Sequence, residues 1–171
     1  MFDLGQDFIH GIFTPDETHV IGGTGLHTRP GPDVREISYW IRASFLNRGL
    51  ATEVSAALTK VAFEIDGMRR VKIHRDPKNS RSAAFPRKLE FNHDGTLRQR
   101  VPFLDEPLRD RMIWSLLAEE YWTSSAALAE VTAFDVIRRV IPFGTICSEL
   151  VPRCAPTIAS SPTTCRACFT R

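Results

Sequence analysis

Cysteine is absent before Cys147, so no disulfide framework holds the greater part of the chain together. No apolar run reaches the ~18–20 residues that a bilayer-spanning helix needs. The N-terminal stretch Met1-Phe2-Asp3-Leu4-Gly5-Gln6-Asp7 lacks the basic-then-apolar pattern of a secretory leader, and the expected compartment is the cytoplasm. Neither sign of charge is in excess: 22 Lys and Arg stand against 20 Asp and Glu, a net charge of +2, which removes a global polyanion-binding signature. There is no Gly-Lys-Ser/Thr of a P-loop and no G-x-G-x-x-G of a dinucleotide fold. Of the four cysteines only Cys165 and Cys168 have zinc-ligand spacing, with no His and no strand pattern around them, so no metal is expected. No internal repeat is visible.

What is present is one ordinary domain's worth of chain: 171 residues, 43% hydrophobic and 25% charged. Its organising stretch runs from Tyr39 to Glu53. It reads as a strand end, a turn and the start of a long helix, with Gly49 at the turn-to-helix junction. A helix start exposes backbone N–H groups without internal partners, and these favour an anion, most often a phosphate.

Phe8–Phe13 reads as a short strand, and Thr14 to Glu17 as a turn. A second strand spans His19–His27 around Gly22, Gly23 and Gly25, where the glycines imply a bulge or close backbone approach. After a turn at Arg29 to Asp33, Glu36–Ile41 alternates, with Ile37, Tyr39 and Ile41 on one face and Glu36, Ser38 and Trp40 on the other. The helix from Leu50 places Val54, Ala57, Leu58, Val61 and Ala62 on one side and stops at Asp66-Gly67. Val71–Arg75 is a strand, Asn79 caps a helix from Ser80 to about Leu89, and Pro86 should bend that helix. Phe91 opens a further strand region, Asp94-Gly95 is a turn, and Thr96 to Phe103 pairs back. Leu104 to Asp110 reads as a polar loop, and Arg111 onwards as a strand to about Leu117. Only Glu36–Ile41 and Val71–Arg75 need a parallel pairing. Residues 1–122 form the domain, Ala126 to Val140 within 123–143 is apolar enough for a helix, and 144–171, rich in Pro, Ser and Thr, reads as a disordered tail.

The run Tyr39 to Glu53, then Asp76-Pro77-Lys78-Asn79-Ser80-Arg81-Ser82, Arg87-Lys88-Leu89-Glu90-Phe91, Asp94 to Arg98, Leu108-Arg109-Asp110 and Trp114 to Leu117 resembles the GNAT N-acetyltransferase superfamily, in its RimJ/RimL-like branch. The resemblance covers roughly residues 8–121. It implies an α/β (α+β) fold: a mixed, mostly antiparallel sheet with a splayed central parallel strand pair and helices on both faces, here without the family's N-terminal strand and helices. It also implies acetyl-CoA as donor and transfer of acetyl to a primary amine, a protein N-terminus or a small amine. The family's Gln/Arg-x-x-Gly-x-Gly/Ala motif falls on Leu46, Asn47, Arg48, Gly49, Leu50 and Ala51, and with Thr52 these would hold the pyrophosphate through backbone N–H groups. Tyr39, Trp40 and Ile41 would run beside the pantetheine arm, and Asn79 would face it. Ser82 stands where the family has a serine proposed to protonate the leaving thiolate, with Tyr121 as the next hydroxyl candidate.

Several positions depart from the family's pattern. Leu46 replaces the basic or amide residue, Glu90 replaces a glycine expected at positive φ, and Val101 replaces a glutamate that some members carry. His74, at the end of the parallel strand, is a candidate base, although a lone strand histidine is more often a surface residue. One or two of Arg69, Arg70, Lys72, Arg75, Lys78, Arg81, Arg87 and Lys88 could meet the 3′-phosphate of CoA; a solvated face is the commoner reason for such a run. No nucleic acid is expected as a partner, because only Phe85 interleaves the run, and no membrane. The alternative to an enzyme is a non-catalytic acyl-CoA-binding or interaction protein.

Overall fold

The computed structural model describes residues 7–28, 31, 33–103, 106–134, 138–141 and 143; the side chains of residues 80–83, 103, 106 and 141 lie outside the description. Strands β1 (Asp7–Phe13), β2 (Val20–His27) and β3 (Val34–Ile41) form the expected antiparallel meander. Helix α1 (Leu50–Glu64) then crosses over to β4 (Arg70–Arg75), which pairs parallel with β3. Helix α2 (Ser80–Lys88) precedes the long hairpin of β5 (Asn92–Phe103) and β6 (Glu106–Leu117). The sheet order is β1-β2-β3-β4-β6-β5.

Residues opposite one another in a ladder share a face. One such row, Phe8, Leu26, Ile37, Ile73, Trp114 and His93, crosses all six strands. Leu26, Ile37, Ile73 and Trp114 of this row are buried and cluster with Ala56, Leu58, Ala62 and Phe63 of α1 and with Phe85 of α2. Fully burying one such Leu or Ile is worth about 1.5–3 kcal/mol. The adjacent row, Asp7, His27, Glu36, Lys72, Ser115 and Asn92, is polar throughout and lies on the opposite face. The mixed sheet with its parallel pair is as the sequence implies, but α1 and α2 share the apolar face rather than dividing between the two. An alternation of apolar and polar rows leaves only one face for an apolar helix to cover.

Helix α1 stops as expected: Gly67 takes φ 63° and Met68 N–H donates to Ala62 O at 2.9 Å. On the far side of α1, Tyr121 stacks on Phe63 at 4.7 Å and donates its hydroxyl to Glu64 at 2.5 Å, while Lys60 donates to Ala127 O at 3.2 Å. Burial, then this bond to Glu64, pushes the Tyr121 hydroxyl far above its ordinary pKa. Tyr121 is thereby a core residue tying the segment after β6 to α1, not an acid for the thiolate.

Three local expectations are revised. Asp94-Gly95 is a register irregularity inside β5 rather than a turn, with Asp94 accepting from Ser115 Oγ at 2.7 Å. Residues 106–110, read as loop, belong to β6, where Gln99 N–H donates to Asp110 at 2.9 Å. The short helix α3 (Ala118–Tyr121) follows β6, and where a helix was expected over Ala126 to Val140 the described residues form a 3-10 turn at Ser125–Leu128 and a two-stranded ladder of β7 (Ala133–Phe134) and β8 (Val140–Ile141). The described part of the segment holds β-branched Val131, Thr132, Val140 and Ile141, which lose rotamer freedom in a helix and fit an extended chain. The expected tail, 144–171, lies outside the described residues.

Candidate active site

The parallel pairing of β3 with β4 runs from Val34↔Arg70 to Ile37↔Ile73 and stops. Beyond it Ser38 to Ile41 remain paired with β2, and His74 and Arg75 with β6. Each strand stays bound to its outer neighbour while the inner edges part, which opens a split between them.

Three side chains stand in the split on the apolar face. The Arg75 guanidinium lies 4.2 Å from the Tyr39 ring centroid and 4.8 Å from that of Phe85, and the two rings meet edge to face at 5.3 Å. Burial lowers the Arg75 pKa to about 10, against the opposing pull of Tyr39 and Glu36. Its Nε and Nη2 have no hydrogen-bond acceptor among the described residues.

The turn after β3 begins with a 3-10 turn at Ala43–Phe45. Asn47 then takes φ 62° and Gly49 φ 82°. Two left-handed residues so close together reverse the chain tightly, and at Gly49 the conformation is one that glycine adopts without a Cβ penalty. Gly49 caps α1 with its carbonyl, accepting from Thr52 at 2.9 Å and Glu53 at 3.0 Å, without any side-chain cap. The amides ahead of Thr52 are those a helix start leaves without an internal acceptor, and the helix dipole adds partial positive charge there. Arg48 keeps its guanidinium beside this turn, over the Phe45 ring at 4.9 Å.

Turn and split open into one cavity of about 640 Å³. Every binding residue expected from the sequence lines it: Tyr39, Trp40 and Ile41 from β3, Leu46, Asn47, Arg48, Gly49, Leu50, Ala51 and Thr52 from the turn, and Asn79 from the approach to α2. Sequence reasoning missed Phe45, Ala84 and Phe85 as lining residues. Ala84, Phe85 and Lys88 fall at the three-to-four spacing of one helix face, which is the signal that could have found them. Among the described side chains of the basic run, Lys88 alone lines the cavity. Ser82 sits in the first turn of α2, three residues before Phe85, and its side chain lies outside the described residues. The candidate base His74 is half-buried on the polar face, with Nδ1 3.4 Å from Glu36 Oε2.

Against protein-family models, the acetyltransferase (GNAT) domain matches residues 2–92. The chain belongs to the GNAT acetyltransferase family. No curated protein gives a significant match. Among solved structures, this GNAT chain is similar to a "probable acetyltransferase" at 26% identity and a TM-score of 0.64, over 70% of this chain and 66% of that one. It is similar in fold to Mycobacterium smegmatis RimJ in complex with CoA-disulfide, at 24% identity and a TM-score of 0.57, over 63% and 52% of the two chains. The ribosomal-protein-S5-alanine acetyltransferase of Vibrio fischeri matches at 16% identity and a TM-score of 0.63, over 70% and 66%. The chain thus spans between about half and two thirds of the length of these relatives.

Proposed function

We propose that this GNAT domain is an acetyl-CoA-dependent N-acetyltransferase acting on a primary amine. One observation carries the reading: the turn from Leu46 to Thr52, the parted edge of β3 and Asn79 line a single cavity. The turn suits a diphosphate because its amides are backbone groups, which survive the exchange of the family's basic or amide residue for Leu46. The edge of β3 from Tyr39 to Ile41, past the end of its ladder with β4, suits an amide-bearing pantetheine arm, which can hydrogen-bond as an extra strand would. Lys88 places a positive charge on the cavity wall for a further phosphate.

In the proposed reaction the neutral amine attacks the thioester carbonyl, the new C–N bond forms and the C–S bond breaks. Ser82 passes a proton to the departing thiolate and recovers one from the nitrogen, which loses it on becoming an amide. A free thiol has a pKa of ~8.5, so modest acid help suffices at neutral pH. A protein N-terminus is the acceptor class that the RimJ/RimL resemblance favours, and one fold relative is named for an alanine of a ribosomal protein. The cytoplasm, where acetyl-CoA is supplied, is the compartment this reading carries.

Calorimetry with acetyl-CoA, paired with release of free thiol in the presence of a panel of amines and N-terminal peptides, tests the reading. Binding with turnover is expected. Binding without turnover of any amine would favour the non-catalytic acyl-CoA-binding alternative, to which Leu46 and Val101 lean. Absence of binding would overturn both.

A further inference from the structure

The polar face of the sheet carries a chain of hydrogen bonds that the acetyl-transfer reading does not use. His27 Nδ1 lies 2.9 Å from Asp7 Oδ1, and His27 Nε2 lies 2.7 Å from Ser38 Oγ. Asp7 is on β1, His27 on β2 and Ser38 on β3, so the imidazole spans three strands. It crosses over Gly25, the residue that pairs directly with Ser38. A Cβ at Gly25 would stand 3.0 Å from His27 Nε2 and 3.1 Å from Phe8 O, so any larger side chain would press the ring out of its place. His27 is 5% exposed, and Ser38 is half-buried.

The partners set the roles of the ring nitrogens. A carboxylate accepts only, so Nδ1 carries the proton towards Asp7. The neutral ring then presents a lone pair at Nε2, and the Ser38 hydroxyl donates to it. The oxygen of Ser38 is left with its lone pairs turned away from the imidazole. Ser38 is also the first residue of β3 beyond its last pair with β4, and it adjoins the Tyr39–Ile41 wall of the cavity. Its side chain points to the face that α1 and α2 leave open.

We propose that Asp7, His27 and Ser38 form a proton relay that deprotonates the acceptor amine, which thus approaches from the polar face of the sheet. This rests on the acetyl-transfer reading above. The ammonium of the acceptor passes a proton to Ser38 Oγ as the hydroxyl's own proton moves to His27 Nε2. The Asp7 carboxylate stabilises the imidazolium through Nδ1–H, and the freed lone pair attacks the thioester carbon. The second amine proton leaves with the thiolate, and His27 returns its proton to water after product departs. Ser38 is the group that touches the acceptor; His27 and Asp7 act through it.

Other charges face the ring. Glu36 stands directly opposite His27 on β3, with Lys72 opposite Glu36 on β4, and His74 Nδ1 is 3.4 Å from Glu36 Oε2. Glu36 and Asp7 bring negative charge to this face, Lys72 brings positive charge, and His74 is a second imidazole on it. His74 is therefore the competing histidine, and the test separates the two.

The test compares pH profiles of kcat/KM for the amine in the full chain and in Ser38→Ala, His27→Gln and His74→Gln, with acetyl-CoA affinity measured alongside by calorimetry. Gln at position 27 can hydrogen-bond to both Asp7 and Ser38 but cannot take up a proton. The expected result is a kcat lowered by roughly 10²-fold in Ser38→Ala and His27→Gln, with acetyl-CoA affinity kept. The acidic limb, in which rate falls as the imidazole takes up its second proton, should vanish in His27→Gln and persist in His74→Gln. Turnover within twofold of the parent in His27→Gln, or loss of the limb in His74→Gln instead, overturns the relay. So does an acetyl group found covalently on Ser38, which would make it a nucleophile. Nitrogen-15 shifts of the histidines give a readout without turnover: His27 should be the Nδ1–H tautomer at alkaline pH, and an Nε2–H tautomer overturns the assignment. A parent that fails to bind acetyl-CoA while His27 shows the expected tautomer locates the failure in the acetyl-transfer reading, and the relay's catalytic role falls with it. A parent that turns over amines while His27 shows the wrong tautomer locates the failure in the relay alone.

Discussion

The two halves of the β3–β4 pair are made of the same strands and do opposite things. From Val34 to Ile37 on β3 and from Arg70 to Ile73 on β4 the backbone is zipped, and Ile37, Val71 and Ile73 are almost wholly buried under α1. Past that point the β3–β4 ladder ends, Tyr39 and Trp40 face the cavity or solvent, and Arg75 stands between rings with buried donors that find no acceptor among the described residues. The closed half secures the sheet, while the open half forgoes pairing that an unbroken ladder would provide. An interrupted ladder and a buried guanidinium without an acceptor among the described residues are costs that a stable fold normally avoids, and their concentration close to the helix-start turn marks where ligand contacts belong.

The sharpest break of this comparison comes at the open half. Gly49→Asp puts a carboxylate where the diphosphate approaches and forces a Cβ onto φ 82°. Among the described residues, its two chain neighbours aside, no atom lies within 4 Å of that Cβ, so the fold should survive the substitution. Acetyl-CoA binding is expected to fall below detection in calorimetry while the circular dichroism spectrum is retained; unchanged affinity would remove the turn from the site.

Next in size is Ser82→Ala, which should lower kcat by ~10²–10⁴-fold with little change in KM for acetyl-CoA, the mark of a contact made in the transition state. Turnover within about twofold of the parent would reassign Ser82 to the helix surface, where Ala is simply the better helix former.

The closed half is probed by Ile73→Ala. Ile73 is fully buried in the row that crosses the sheet. A loss of about 2–5 kcal/mol is expected from urea unfolding, with acetyl-CoA affinity of the folded fraction kept. A loss under about 1 kcal/mol would mean that the zipped half is not the keystone described above.

The smallest effect is expected at the end of α2, which closes the open half. Glu90 takes φ 61°, the left-handed conformation for which the family keeps glycine, and its carboxylate accepts from Ser125 N–H at 2.6 Å. Glu90→Gly relieves the strain and loses that bond, so its stability should stay within about 1 kcal/mol of the parent. Glu90→Ala loses the bond and keeps the strain. Thermal unfolding should therefore rank Gly above Ala by about 1 kcal/mol, and equal midpoints would show that the conformation costs nothing here.

Most of the fold was legible because local pattern and tertiary demand agreed. The alternation of Glu36–Ile41, the apolar face from Leu50 to Ala62 and the stop at Gly67 each describe an element whose burial is one-sided. Legibility failed where a segment's local preference was weak. Residues 106–110 look like a polar loop, yet they run on as β6 because β5 pairs with them, Val101 against Arg109 and Phe103 against Glu106. Ala126 to Val140 has the apolar content of a helix, but Ala126 and Ala133 are buried separately, in a turn and a strand. The positive φ at Glu90 was visible because a family glycine marked it. Arg75 and Lys88 were named only within a basic run whose members the sequence does not separate, and Phe85 was missed although it shares a helix face with Lys88.

The sequence by itself determined the family, the helix-start turn at Gly49 and the identity of the residues along β3 that line the cavity. These are local properties: a left-handed glycine, a run of free amides and an alternating strand need no distant partner to exist. The tertiary structure alone decided that β3 and β4 part after Ile37, that both helices lie on one face, and that Asp7, His27 and Ser38 meet across three strands. Each of these depends on register, which shifts every side chain to the other face if it slips by one residue. Register is set by the whole buried row from Phe8 to His93 at once, and no single segment contains it.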